Sequence, residues 1–120
     1  MVWISDLRHF LDENGAIPAE IPGPARNVAL YLGSIVAWVT DHRCNDPYDD
    51  DAWTNVPCRP RPGRRRCNGL IWAWLDSDGS TICWECVECG DNGTIVGWER
   101  TRWDRRPGSE GETTVESRAD

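Results

Sequence analysis

The chain has 120 residues, with thirteen Arg, no Lys and twenty acidic side chains, for a formal net charge of −7. That length accommodates one domain, or a small module with an appendage, and excludes a large two-domain enzyme. The negative total argues against a protein that coats nucleic acid generally, because nonspecific affinity comes from neutralising phosphates. Eight Trp and six Cys stand against one Phe and two Tyr. A core this small gains from a metal or disulfide staple.

Asp6, Asp12 and Glu13 interrupt the first segment, where a secretory signal is uninterrupted and apolar. The longest apolar region, 28–39, is about twelve residues, short of the roughly twenty that span a bilayer. The expectation is a soluble, cytoplasmic protein with no membrane attachment. In a reducing compartment six cysteines read as metal ligands, zinc first, ahead of disulfides and of iron.

In chain order, Ser5 and Asp6 read as an N-cap and acidic first turn, with Leu7, Phe10 and Leu11 at helical spacing. Asn14-Gly15 ends that segment, and the run IPAEIPGP is an extended linker. Pro24 opens a second helix, whose apolar stripe of Val28, Tyr31, Leu32, Ile35, Trp38 and Val39 carries it to about Thr40. The two helices are expected to form a hairpin over residues 1–43.

Residues 44–57 are Asp-rich and without periodicity, and read as an acidic loop. Residues 58–67, CRPRPGRRRC, reverse the charge with five Arg and no acid. From Gly69 the pattern turns to β. Leu70–Leu75 and Ser80–Cys86 flank the turn signal Asp76-Ser77-Asp78-Gly79, and a third strand runs from Thr94 to about Trp103. Residues 107–120 are polar and net acidic, and are expected to be a disordered tail.

The cysteines stand at 44, 58, 67, 83, 86 and 89. A tetrahedral structural zinc site needs four thiolates, usually as two pairs on short turns. Cys86-Val87-Glu88-Cys89-Gly90 supplies one such turn, because the chain leaving the second Cys commonly needs a positive φ. Cys83 with Cys86 has the same spacing but lacks the glycine. For the second pair, Cys58 and Cys67 flank the Arg loop just before the hairpin, although their separation is wider than the usual two to four residues. Cys44 or Cys83 could replace Cys58, and His42 is a remote candidate; otherwise Cys44 and Cys83 are buried, inert thiols.

A Cys loop, a β-hairpin, a C-x-x-C-G turn and a third strand together resemble a zinc ribbon. More narrowly, Cys86-x-x-Cys89-Gly-Asp-Asn-Gly with Ile95, Gly97-Trp98 and Thr101-x-Trp103-Asp104 looks like a set of small uncharacterised bacterial proteins. The resemblance spans 58–104 and implies metal binding, with no activity to carry over. The resulting expectation is an α+β protein. An N-terminal helical hairpin (1–43) and an acidic loop (44–57) precede a three-stranded antiparallel zinc-ribbon module (58–106), with one structural zinc on Cys58, Cys67, Cys86 and Cys89.

Arg59, Arg61, Arg64, Arg65 and Arg66 are the expected contact surface, since guanidinium groups pair bidentately with carboxylate or phosphate. A protein partner is expected ahead of nucleic acid because of the global charge, and a homodimer is possible. The upstream Asp46, Asp49, Asp50 and Asp51 could instead pair with these arginines. The Trp residues read chiefly as core. Catalysis is not expected: His9 and His42 have no evident triad, and no HExxH, GxSxG or phosphate-binding loop is present.

Overall fold

The computed structural model describes residues 2–58 and 67–106. Among these residues five strands form one mixed sheet in the order β1-β5-β4-β3-β2. They are β1 Val2–Asp6, β2 Trp53–Pro57, β3 Leu70–Leu75, β4 Ile82–Cys86 and β5 Asn92–Val96. Neighbours are antiparallel except β1 and β5, which run parallel. Among the described residues one α-helix, α1 (Gly23–His42), packs on one face.

This overturns the expected helical hairpin on a three-stranded antiparallel ribbon. The N-terminal segment is a strand followed by one 3-10 turn, Leu7–Phe10. Val2, Trp3 and Ile4 are strand-forming types, and five successive residues of β1 register with β5 from Val2↔Asn92 to Asp6↔Val96. Asp6, not Ser5, makes the cap: its carboxylate accepts the Arg8 N–H at 3.0 Å. The helical spacing of Leu7, Phe10 and Leu11 instead lets Leu7 enter the core, with Phe10 and Leu11 packed at its margin.

The acidic loop also conceals a strand. In β2, Thr54 and Val56 are buried between exposed Trp53, Asn55 and Pro57, the period-two pattern of a half-covered strand. Thr54 Oγ1 donates to the Ile71 carbonyl at 2.7 Å, so a buried hydroxyl is satisfied by the neighbouring strand. At the other end, β5 stops at Val96, well short of Trp103.

Helix α1 begins with Pro24 in its first turn, where the missing N–H costs nothing. Leu32, Ile35, Val36 and Val39 line its buried side, against Ile71, Ala73, Ile82, Trp84 and Ile95 of the sheet. Each large aliphatic group so buried contributes about 1.5–3 kcal/mol. The alternation in β4, with Ile82, Trp84 and Cys86 inward, carries this core to the end of the strand where the cysteines lie. Among the described residues no helix is long and apolar enough to cross a membrane.

Candidate metal centre

Because β2, β3 and β4 are antiparallel neighbours, the end of β2, the start of β3 and the end of β4 share one edge of the molecule. Cys58 directly follows β2, Cys86 closes β4, Cys67 lies just before β3, and Cys89 lies in the turn to β5. The Cys58 N–H donates to the Gly69 carbonyl at 2.9 Å, and Cys86 registers with Ile71. These contacts draw the two cysteine-bearing connections together.

The four sulfurs lie within 4.8 Å of one another and could hold a metal ion. Cys58 Sγ is 3.8 Å from Cys89 Sγ, and Cys67 Sγ is 3.5 Å from Cys86 Sγ. A tetrahedron with metal–sulfur bonds of about 2.3 Å has edges of about 3.8 Å, so the arrangement is close to a ligand shell. These two close pairs run between the connections. That explains how a wide 58–67 spacing is accommodated: each of these cysteines has its near neighbour on the opposite turn.

The 86–89 turn has the local geometry of a thiolate-presenting knuckle. Gly90 sits at φ 81°, where a side chain is disfavoured. Its N–H donates to the Cys86 carbonyl at 3.0 Å, and the Cys86 N–H donates to Asp91 O at 2.7 Å. The backbone N–H groups of Cys89 and Glu88 point at the Cys86 sulfur. Across the centre the Gly69 N–H donates to Cys67 Sγ at 3.4 Å.

Gly69 has a second role, which the sequence pattern marked only as the start of the β run. A Cβ there would stand 2.8 Å from Glu88 Cβ and 2.9 Å from Cys86 Sγ, closer than atoms of a well-packed interior approach. The legible signal is Cys67-Asn68-Gly69, a glycine two residues after a cysteine, where the close approach of Glu88 and Cys86 rather than a positive φ requires it.

Burial pushes the Cys58 thiol up, reinforced by the thiols of Cys86 and Cys89. Burial also raises Cys86, against the N–H groups of Cys89 and Glu88. The solvent-facing Cys67 is lowered, chiefly by the Gly69 N–H. Cys58 and Cys86 are thus buried at the core edge, Cys67 is half-buried and Cys89 is exposed.

Cys44 and Cys83 are not in this cluster. Cys44 is buried, with its thiol 3.7 Å from the Ala73 carbonyl and 3.6 Å from that of Asp46. Cys83 lies in mid-strand opposite Trp74. Burial raises both thiols. His42 is not in the cluster either: its ring stacks on Trp38 at 3.9 Å, and its Nδ1 is 2.9 Å from the Trp38 carbonyl. It lines an open groove of about 500 Å³ with Asp41, Asn55 and Arg105, while Cys44 lines a different one.

Arg59, Arg61, Arg64, Arg65 and Arg66 and the expected tail, 107–120, lie outside the described residues. Of the arginines after β5, Arg106 is engaged internally, with its guanidinium 2.8 Å from Asp104 Oδ2 and over the Trp98 ring at 4.5 Å. The chain matches no protein family, no curated protein and no solved structure.

Proposed function

We propose that the chain is a small non-catalytic interaction module organised by one structural zinc ion on Cys58, Cys67, Cys86 and Cys89. The observation that carries this reading is the convergence of four sulfurs within 4.8 Å, where two connections of the sheet meet. Four thiolates complete a tetrahedral zinc shell and leave no open position for substrate, which favours a structural over a catalytic ion. The metal end thus supports the resemblance to zinc-ribbon centres, although the sheet around it is larger and mixed. Iron is the competing thiolate metal.

In this reading the zinc ligands Cys58 and Cys67 flank, in the sequence, the five arginines that would contact a partner. A Zn²⁺ ion with four thiolates keeps a net negative charge, which the intervening guanidinium groups offset. An acidic protein surface is the partner this chemistry suits, through bidentate guanidinium–carboxylate pairs.

The test is metal analysis of the purified, reduced chain together with unfolding curves. One equivalent of zinc, lost in Cys86→Ser, is the expected result. A metal-free sample that folds fully sinks the proposal. For the loop, Arg64, Arg65 and Arg66 → Ala should leave zinc content unchanged. A steeply salt-dependent affinity for oligonucleotides, lost in that triple variant, would move the partner from protein to nucleic acid.

A further inference from the structure

The sheet has two faces, and α1 covers only one of them. On the other, Trp53, Trp72 and Trp74 form a continuous aromatic row. Trp53 and Trp72 are cross-strand partners, stacked with ring centroids 5.8 Å apart at 15°. Trp72 and Trp74 follow at 5.2 Å. Trp53 is 54% exposed, an unusual state for a side chain whose burial stabilises so much.

This row carries acid beside it. Glu85 is the cross-strand partner of Trp72, so its carboxylate shares the outer face with the central indole. The Asp-rich segment wraps the β2 edge: Trp72 Nε1 donates to the Pro47 carbonyl at 2.8 Å, and Trp38 Nε1 donates to the Asp51 carbonyl at 2.7 Å. Those bonds fix the backbone of the segment that carries exposed Asp49, Asp50 and Asp51, which runs directly into Trp53 along the sequence. Their backbone is fixed further by the Asp49 carboxylate, which accepts the Asp51 N–H at 2.9 Å.

We propose that this face docks an arginine-rich peptide segment of a partner. A guanidinium plane stacks on an indole and offers its edge N–H groups to a neighbouring carboxylate, and both complements are present here. Stacked indoles also suit unpaired bases, but Glu85 places negative charge on the face itself, and the exposed Asp49, Asp50 and Asp51 lie just upstream of Trp53 in the chain. The Glu85 carboxylate beside the central indole therefore favours a cation over a nucleic acid. The surface is separate from the sulfur cluster, and its recognition chemistry does not depend on the proposed zinc.

The experiment is a fluorescence-anisotropy titration of a labelled oligoarginine peptide with the full chain as purified, repeated with an oligolysine peptide and a single-stranded oligonucleotide. Saturable binding to oligoarginine is expected, tighter than to oligolysine. Trp53→Ala and Glu85→Gln, each checked for native circular dichroism, should weaken it about tenfold. Glu85→Gln keeps the side-chain shape, so the test stands if Trp53→Ala fails to fold. Three results overturn the proposal: no saturable peptide binding, binding unchanged in Glu85→Gln, or tighter binding of the oligonucleotide than of oligoarginine.

Discussion

Two regions hold the sheet's connections in place by different physics. At the metal end, four thiols gather two turns around a point that an ion can occupy. On the helix-covered face, residues 98–106 are held with no sulfur at all. Trp98 is fully buried, and its Nε1 donates to the Ser80 carbonyl at 2.8 Å, at the opposite end of the β3–β4 hairpin. Asp104 is buried and accepts from the Arg106 guanidinium at 2.8 and 3.0 Å and from the Arg100 N–H at 2.9 Å. The Arg105 N–H donates to Thr40 Oγ1 at 2.9 Å, which ties the segment to the end of α1. One region should therefore answer to metal and the other to burial and pH.

The largest expected effect separates them directly. Chelation, or Cys86→Ser, should remove about 5 kcal/mol, because binding energy at a structural thiolate site is folding energy. Denaturant unfolding with and without chelator measures the loss. Amide exchange should then rise around 67–70 and 86–92 while 98–106 stays protected. Equal deprotection of both regions would show that they are one cooperative unit. The converse change, Trp98→Ala, should cost about 4 kcal/mol through lost burial and a cavity. Its zinc content should remain one equivalent per chain.

How much of this was legible differs between the same two regions. The cysteine chemistry is local: Cys86-x-x-Cys89-Gly and Cys67 before a hairpin announce themselves by spacing. All four sulfurs do converge, although Cys58 was named from its place just before the hairpin and against its wide spacing. The helix α1 and the β3–β4 hairpin were equally readable, because each contains its own period. The edge strands were not. Strand β1 is defined by its pairing with β5, some ninety residues away, and its partner's identity leaves no mark on residues 2–6. Strand β2 does alternate from Ala52 to Val56, but the preceding run of Asp obscured a pattern only five residues long. The segment 98–106 looked like an extension of β5, since buried Trp98 and Trp103 suit a strand as well as a folded-back turn.

The clamp's charge pair is the next contrast. Burial disfavours the Asp104 carboxylate, yet hydrogen bonds from Arg106 and from the Arg100 N–H outweigh it and hold its pKa below the usual range. A carboxyl whose folded pKa is depressed contributes stability above its unfolded value of about 3.9, and loses it as pH falls through the lower folded value. Asp104→Asn should cost about 2 kcal/mol at neutral pH, as expected for charged hydrogen bonds. The difference from the unaltered chain should shrink below the ordinary carboxylate range and vanish in strong acid. Urea midpoints taken across that range check the sign. A constant difference at every pH would assign the effect to packing instead.

The smallest effect sharpens the comparison from within the cysteines themselves. Cys44 and Cys83 share the residue type of the ligands but neither their position nor their neighbours. The Cys44 thiol faces the Ala73 and Asp46 carbonyls, and burial raises it, so at neutral pH it is a protonated, weakly hydrogen-bonded apolar group. Cys44→Ala should cost about 1 kcal/mol, the value of a small buried side chain with one weak bond. Cys83→Ser, on the outer face and half-buried, should cost less, within about 0.5 kcal/mol. Both variants should keep one zinc per chain with unchanged resistance to chelator. A loss of metal from either would mean that the ion draws on sulfurs beyond the cluster. The separation between a metal-governed end and a burial-governed clamp would then fail at its first premise, since Cys44 hydrogen-bonds to the strand that both regions share.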